Sequence, residues 1–281
     1  MTSLRMKPFQ AQLRAFAASV FAILATAGAV HAASLKEIKA KGVMTVATED
    51  NYKPFEYIQD GTPKGLDHAL LALLRKQSTF KIEQQIIPWT GLLPGVVSGK
   101  YDVALTAAVI TPERVQNLDF TMPIAEATQY YVVRADETDI KDVADLSGKT
   151  VGVQAGGASY AALDDLKAML AKTGGKLGTV KQYTSFPEAY QDLANGRLDY
   201  VINGVVNLTS LTHEQPDRFK LGKAVAKPAY AAWAVAKGNT DLLNYLDDFM
   251  LKARKDGSLY KLQKTWLGTT FENMPDTPTV K

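Results

Sequence analysis

Two short stretches of one pattern constrain this chain most. Ser98-Gly99-Lys100-Tyr101-Asp102-Val103 and, in the second half, Asn195-Gly196-Arg197-Leu198-Asp199-Tyr200 each read as a helix closed by glycine, then a cation, then an aspartate opening an apolar strand. Each strand runs on into a loop, after Leu105 and after Ile202. In open α/β sheets ligands bind beyond the carboxyl ends of strands. The repetition therefore predicts two half-sites facing each other across a cleft. The first strand end leads through Thr106, Ala107 and Val109 to Thr111-Pro112-Glu113-Arg114, so one half-site carries an arginine.

The order of elements around each stretch supports the same reading. Val43 to Thr48 reads as a strand, and a helix capped by Asp67 carries Leu70, Leu73 and Leu74 at helical spacing. Lys81 to Ile87 follows as a strand, then a short helix capped by Thr90 and stopped by Gly99, then a strand from Tyr101. The β-α-β-α-β order restarts at Val151 to Gln154, with a helix over Ser159 to Lys172, a strand over Thr179 to Tyr183, a helix opened by a Ser185/Glu188 capping box, and a strand over Tyr200 to Ile202. Gln129 to Val133 and Tyr230 to Ala236 read as two extended crossovers between the halves. This predicts one lobe from residues 33–133 and 230–281, and a second, 134–229, inserted into it. Two helices, about 240–255 and 258–267, and a frayed Pro-rich tail from Met274 complete the chain.

Charge and composition exclude several partners. Arg5, Lys7 and Arg14 precede an apolar run from Ala15 to Val30 that ends in Val30-His31-Ala32, which predicts a secretory signal over residues 1–32, cleaved before Ala33. The run falls short of the ~20 residues that span a bilayer. Without those residues, 32 Lys+Arg against 29 Asp+Glu becomes 29 against 29. A neutral chain gives no reason to expect nucleic acid as partner. The sequence has no cysteine, hence no lipid-attachment site and no disulfide. A free periplasmic protein is expected.

The chemistry-bearing residues sit beyond the predicted strand ends. Thr111 and Pro112 predict a helix start, which places the Arg114 cation against the positive end of a helix dipole. A bound carboxylate would offset that, and so would an internal salt bridge to Glu113 or Asp119; both remain open. Gly156-Gly157-Ala158-Ser159, between a strand and a helix, offers backbone N–H groups to an anion, or simply makes a tight turn. Tyr52, Phe55 and Trp89 lie just beyond strands, where a ring can stack on a ligand, and two of the three are expected to reach it. His68 and His213 are isolated, and no G-x-S-x-G nucleophile elbow is present. No catalytic group, metal or cofactor is expected.

The segment Thr106 to Phe120, with Tyr52-Lys53-Pro54-Phe55-Glu56, Gly65-Leu66-Asp67, Trp89 to Gly99 and Val151 to Gly156, resembles the periplasmic solute-binding proteins of polar amino acid ABC importers (bacterial extracellular solute-binding protein family 3). The resemblance runs in order from about Leu35 to Gly268. It implies two α/β lobes, each a mostly parallel sheet flanked by helices, joined by a two-strand hinge and closing on one ligand. It also implies a monomer that delivers its ligand to a membrane permease. By that resemblance Arg114 holds the ligand's α-carboxylate, Tyr52 and Trp89 sandwich its side chain, and Glu49 reads a polar or cationic group. Three departures bear on the ligand. A hydroxyl residue of the family is Val109 here, the hydroxyls after the second-lobe glycine are Gly157 and Ala158, and the carboxylate that pairs with the α-ammonium is Gly204. Either Glu49 or Asn203 takes over the ammonium, or the ligand has no ordinary α-amine. The alternative function is an enzyme on the same fold, a cyclic-acid dehydratase or lyase using Glu49 or Glu113 as general acid.

Overall fold

Parallel strands need a crossover between them, and here helices supply it. In the computed structural model, which describes residues 32–278, Val43–Glu49 lies between Lys81–Ile87 and Val103–Val109, parallel to both. Tyr230–Ala236 pairs antiparallel with Val103–Val109 and with the short strands Leu118–Phe120 and Ala125–Glu126. The second sheet places Val151–Gln154 between Val180–Tyr183 and Tyr200–Gly204, again parallel. Gln129–Arg134 and Phe219–Ala224 then join antiparallel. The expected signal segment lies, all but Ala32, outside the described residues. No helix among the described residues is long and apolar enough to cross a membrane.

The repeated lead-in does the same structural work twice. Gly99 and Gly196 hold left-handed φ values of 75° and 72° that close a helix. Asp102 then accepts from the Thr45 N–H at 2.7 Å and donates its own N–H to the Thr45 carbonyl at 2.9 Å. Asp199 does both with Thr150, at 2.6 and 2.9 Å. Each aspartate pins its strand to its neighbour and so fixes where the far end of that strand emerges.

Several sequence expectations are corrected. Gln129 to Val133 is a strand of the second sheet rather than a crossover, because pairing on both edges satisfies its backbone. The passages between sheets are shorter, near residues 127–128 and 225–229, and Ala127 donates to the Ala229 carbonyl at 2.8 Å, so the two run side by side. The strand from Tyr200 reaches Gly204 and leads straight into a helix, Val205–Glu214, where a loop was expected. Asp67 is not a cap: Gly65 is, and Asp67 is buried with its carboxylate on the Trp233 indole N–H at 2.5 Å. Thr90 lies within a 3-10 turn, and Ser185 makes no capping bond; Glu188 accepts from Thr184 instead. The tail is tied down, with Met274 buried and Asp276 paired to Arg254 at 2.5 Å.

A three-stranded hairpin sheet, Asn51–Tyr52, Glu56–Gln59 and Thr62–Lys64, follows the first strand. Gly65 closes it with φ 117°, and a Cβ there would strike the Phe55 backbone carbonyl, which accepts from the Asp67 N–H at 2.9 Å. Gly65→Ala should therefore destabilise the protein by about 2–4 kcal/mol. A lower urea midpoint at unchanged slope would show it; an unchanged midpoint would mean that the turn relaxes freely.

Candidate functional site

Four strands end at one place. Glu49 and Val109 terminate strands of the first sheet, and Gln154 and Gly204 terminate strands of the second. A cleft of about 1250 Å³ opens beside them, walled by Val109 to Arg114 on one side and Gly156 to Ala158 on the other. It shares Val109, Arg114, Gln129 and Ala158 with an inner pocket lined also by Glu49, Tyr52, Trp89, Ala107, Gln154, Ser159, Phe186 and Asn203.

Arg114 stands where cleft and pocket meet. The helix expected at Thr111-Pro112 is only a 3-10 turn, Arg114–Gln116, with the Thr111 hydroxyl accepting from the Arg114 N–H at 3.3 Å. A single turn sums too few peptide dipoles to oppose the cation. The guanidinium donates to the Val109 carbonyl at 2.8 Å and, across the cleft, to the Gly156 carbonyl at 3.3 Å. It also lies 4.9 Å from the Trp89 ring centroid. Among the described residues it enters no salt bridge. Asp119, one candidate partner, pairs with Lys237 at 2.7 Å instead. Enclosure in protein lowers the Arg114 pKa to about 10, which leaves it a cation at neutral pH.

Glu49 faces it from the other end. Its carboxylate accepts from the Gln154 side-chain amide at 2.8 Å, a bond that joins the two lobes through the floor of the pocket. Burial pushes its pKa up to about 8; Asp50 adds to the rise, while the Gln154 bond and Arg114 oppose it. At neutral pH the group is mostly protonated and presents a hydrogen-bonding carboxyl rather than a charge. Tyr52 and Phe186 add an aromatic wall, ring centroids 5.9 Å apart. Among the described residues no group of three or more His, Asp or Glu side chains is arranged to hold a metal ion.

The structure brings most of the predicted residues together and withholds some. Thr106 is fully buried and turned away, its hydroxyl donating to Glu56. Glu56 shares a buried site with Asp67, and burial raises both acids, so that Glu56 keeps a proton. Phe55 packs behind Tyr52, centroids 5.7 Å apart, and does not line the pocket. Ser159 lines it, but its hydroxyl accepts from the Gln154 N–H at 3.0 Å and so braces the strand end. Asn203 is likewise committed, its amide donating to the Tyr190 hydroxyl at 2.8 Å and accepting from the Gly204 N–H at 2.7 Å. Gly156 contributes its carbonyl, Gly157 and Ala158 line the cleft, and Gly204 stands close to the Tyr52 hydroxyl, where a Cβ would press on Asn207 Oδ1 at 2.8 Å. Gln154, Gln129 and Phe186 escaped the sequence reading. Gln154 ends a parallel strand and so met the rule already applied to Val109. Gln129 was hidden by being read as crossover.

Comparison with known proteins identifies the family and the fold. Residues 44–269 match the family model of bacterial extracellular solute-binding proteins, family 3. The L-cystine-binding protein TcyJ of Escherichia coli (strain K12) is 28% identical over 236 residues, covering 83% of this chain and 86% of that protein. The arginine-binding extracellular protein ArtP of Bacillus subtilis (strain 168) is 26% identical over 228 residues, covering 80% and 86%. Among solved structures, an ancestral arginine-binding protein bound to arginine superposes with a TM-score of 0.71 at 32% identity, covering 80% of this chain and 98% of that one. The ancestral amino acid-binding protein AncCDT-1, a precursor of cyclohexadienyl dehydratase, gives 0.73 at 28% identity, covering 83% and 98%.

Proposed function

The chain belongs to the bacterial extracellular solute-binding proteins, family 3, and on that footing we propose that it captures a polar amino acid or related small carboxylate between two closing lobes. It works in the periplasm as a monomer, exported by its signal segment, and delivers the ligand to the inner-membrane permease of an ABC importer. The observation that carries this reading is Arg114, a cation at the junction of cleft and pocket with two backbone carbonyls and a ring for partners. Guanidinium and carboxylate pair through two parallel bonds, strongly and with fixed orientation. The 3.3 Å bond to Gly156 is the weaker of its two, so a ligand carboxylate takes that edge of the fork at little cost. Tyr52, Trp89 and Phe186 flank the side chain, and Glu49 with Gln154 meets its polar end. Because these groups come from both lobes, a ligand makes all its contacts only in the closed form, and binding shifts the hinge equilibrium toward closure.

One feature favours the enzymatic alternative: Glu49, with its pKa near 8, has the protonation state of a general acid. Its hydrogen-bond partner opposes that reading, since the Gln154 amide cannot exchange a proton. The relatives above are named as binding proteins, which supports capture without turnover.

Thermal unfolding with the L-amino acids, L-cystine and their deaminated counterparts tests the proposal. A ligand at a hundredfold excess over its Kd should stabilise the protein by about 2.7 kcal/mol. No shift with any carboxylate of the set would sink the reading. Consumption of a ligand over hours would move the chain to the enzymes.

A further inference from the structure

Gln129 and Gly204 are direct partners in the antiparallel ladder of the second sheet. Side chains of such partners share one face and lie close together, so the glycine leaves its half of the slot to the glutamine. A Cβ on Gly204 would lie 3.7 Å from Gln129 Nε2, 3.7 Å from the Tyr52 hydroxyl and 2.8 Å from Asn207 Oδ1. The family's ammonium-binding carboxylate would stand at this spot, and in this chain three neutral polar groups converge on it.

Of these, Gln129 carries a buried acceptor that is left without a partner among the described residues. Its Nε2, the amide atom nearest the Gly204 position, donates to the Ala127 carbonyl at 2.8 Å, which leaves Oε1 as the free acceptor of the side chain. The residue is 4% exposed, and Oε1 is buried with no hydrogen-bond partner among the described residues. Buried acceptors are seldom left so, and one that is calls for an explanation. Of the described buried polar atoms without a partner, Gln129 Oε1 alone belongs to a residue lining the cleft and pocket that hold Arg114. Asn203 has both ends of its amide engaged, Asn207 donates to the Lys53 carbonyl at 2.8 Å, and Glu49 is bound to Gln154.

We propose that Gln129 Oε1 accepts a hydrogen bond from the donor on the carbon next to the ligand's carboxylate, so that the α-amine is read by a neutral amide where a carboxylate would be usual. The inference rests on Arg114 as the carboxylate anchor. An uncharged acceptor gains less from a full ammonium than a carboxylate does. The pocket therefore distinguishes weakly among an ammonium, a substituted amine and a hydroxyl at that carbon, and rejects acids with no donor there. The ligand class widens to α-hydroxy acids and N-substituted amino acids.

The test is calorimetric titration of the whole protein with the tightest-binding L-amino acid of the set above, its α-hydroxy acid and its deaminated acid. In the wild type the hydroxy acid should bind within about tenfold of the amino acid, and the deaminated acid about tenfold more weakly than either. Gln129→Glu should raise the preference for amine over hydroxyl about tenfold, and Gln129→Met should collapse all three affinities toward one value. These are ratios within one variant, so a general loss of stability does not imitate them. Unchanged ratios in both variants, with Arg114→Ala still weakening all three ligands, would overturn the Gln129 assignment and leave the anchor standing. If no member of the set binds the wild type at millimolar concentration, the proposed function falls and this inference with it.

Discussion

Arg114→Ala should raise the Kd of the bound carboxylate by roughly 30- to 3,000-fold, while the protein without added ligand unfolds within about 1.5 kcal/mol of wild type. Removing one side of an enclosed, hydrogen-bonded charge pair costs about 2–5 kcal/mol, and about 1.4 kcal/mol is a factor of ten. The small effect on folding follows from what Arg114 touches: two backbone carbonyls and the Trp89 ring, with no carboxylate to be orphaned. Arg114→Lys keeps the charge and loses the fork, so it should fall between the two. Titration calorimetry and thermal melts on the same preparations separate affinity from stability. Binding within threefold of wild type in the alanine variant would place the carboxylate elsewhere.

The second large effect is one of pH. The Glu49 carboxyl is held at about 8 in the folded protein against an ordinary value of 4.5. Between those values the unfolded chain releases a proton that the folded one keeps, so stability falls as pH rises from about 4.5 to about 8. Glu56, also raised by burial, contributes with the same sign. Glu49→Gln keeps the shape and removes the titration. The variant should match the wild type near pH 4 and exceed it by a few kcal/mol at pH 8. Urea unfolding across that range measures it, and parallel curves for the two proteins would mean that Glu49 ionises freely. Asp50 and Arg114 are the charges closest in effect, and they oppose one another. A ligand with a cationic side chain adds to Arg114 and should release a proton on binding near pH 7, visible as a calorimetric enthalpy that depends on the buffer.

The fold was legible where local rules and tertiary pairing agree. The Gly-cation-x-Asp lead-ins were visible as helix stops and strand starts, and the structure adds that Asp102 and Asp199 also anchor neighbouring strands. What escaped depended on partners distant in sequence. Gln129 to Val133 is extended either as crossover or as strand, and only pairing with Tyr200–Gly204 and Phe219–Ala224 decides between them. Asp67 has the composition of a cap, yet burial beside Trp233, 166 positions away, draws it inward. In the site, Arg114, Tyr52 and Trp89 stood out beyond predicted strand ends, and Glu49 was implied by the family resemblance. Thr106 did not, because successive strand residues point to opposite faces and the sequence gives no sign of which face Glu56 will claim.

The two lobes are fastened to each other on both sides of the pocket. Glu49 meets Gln154, Arg114 reaches Gly156, and Lys53 joins both Asn207, through its carbonyl, and Glu214, through its ammonium at 2.8 Å. These contacts must part before the lobes can separate, so exchange at the site is tied to the hinge. Association measured by stopped flow should level off as solute concentration rises, at the rate of lobe opening. A large excess of competitor should not hasten departure, and loosening the latch at Lys53 or Glu214 should speed arrival and escape together.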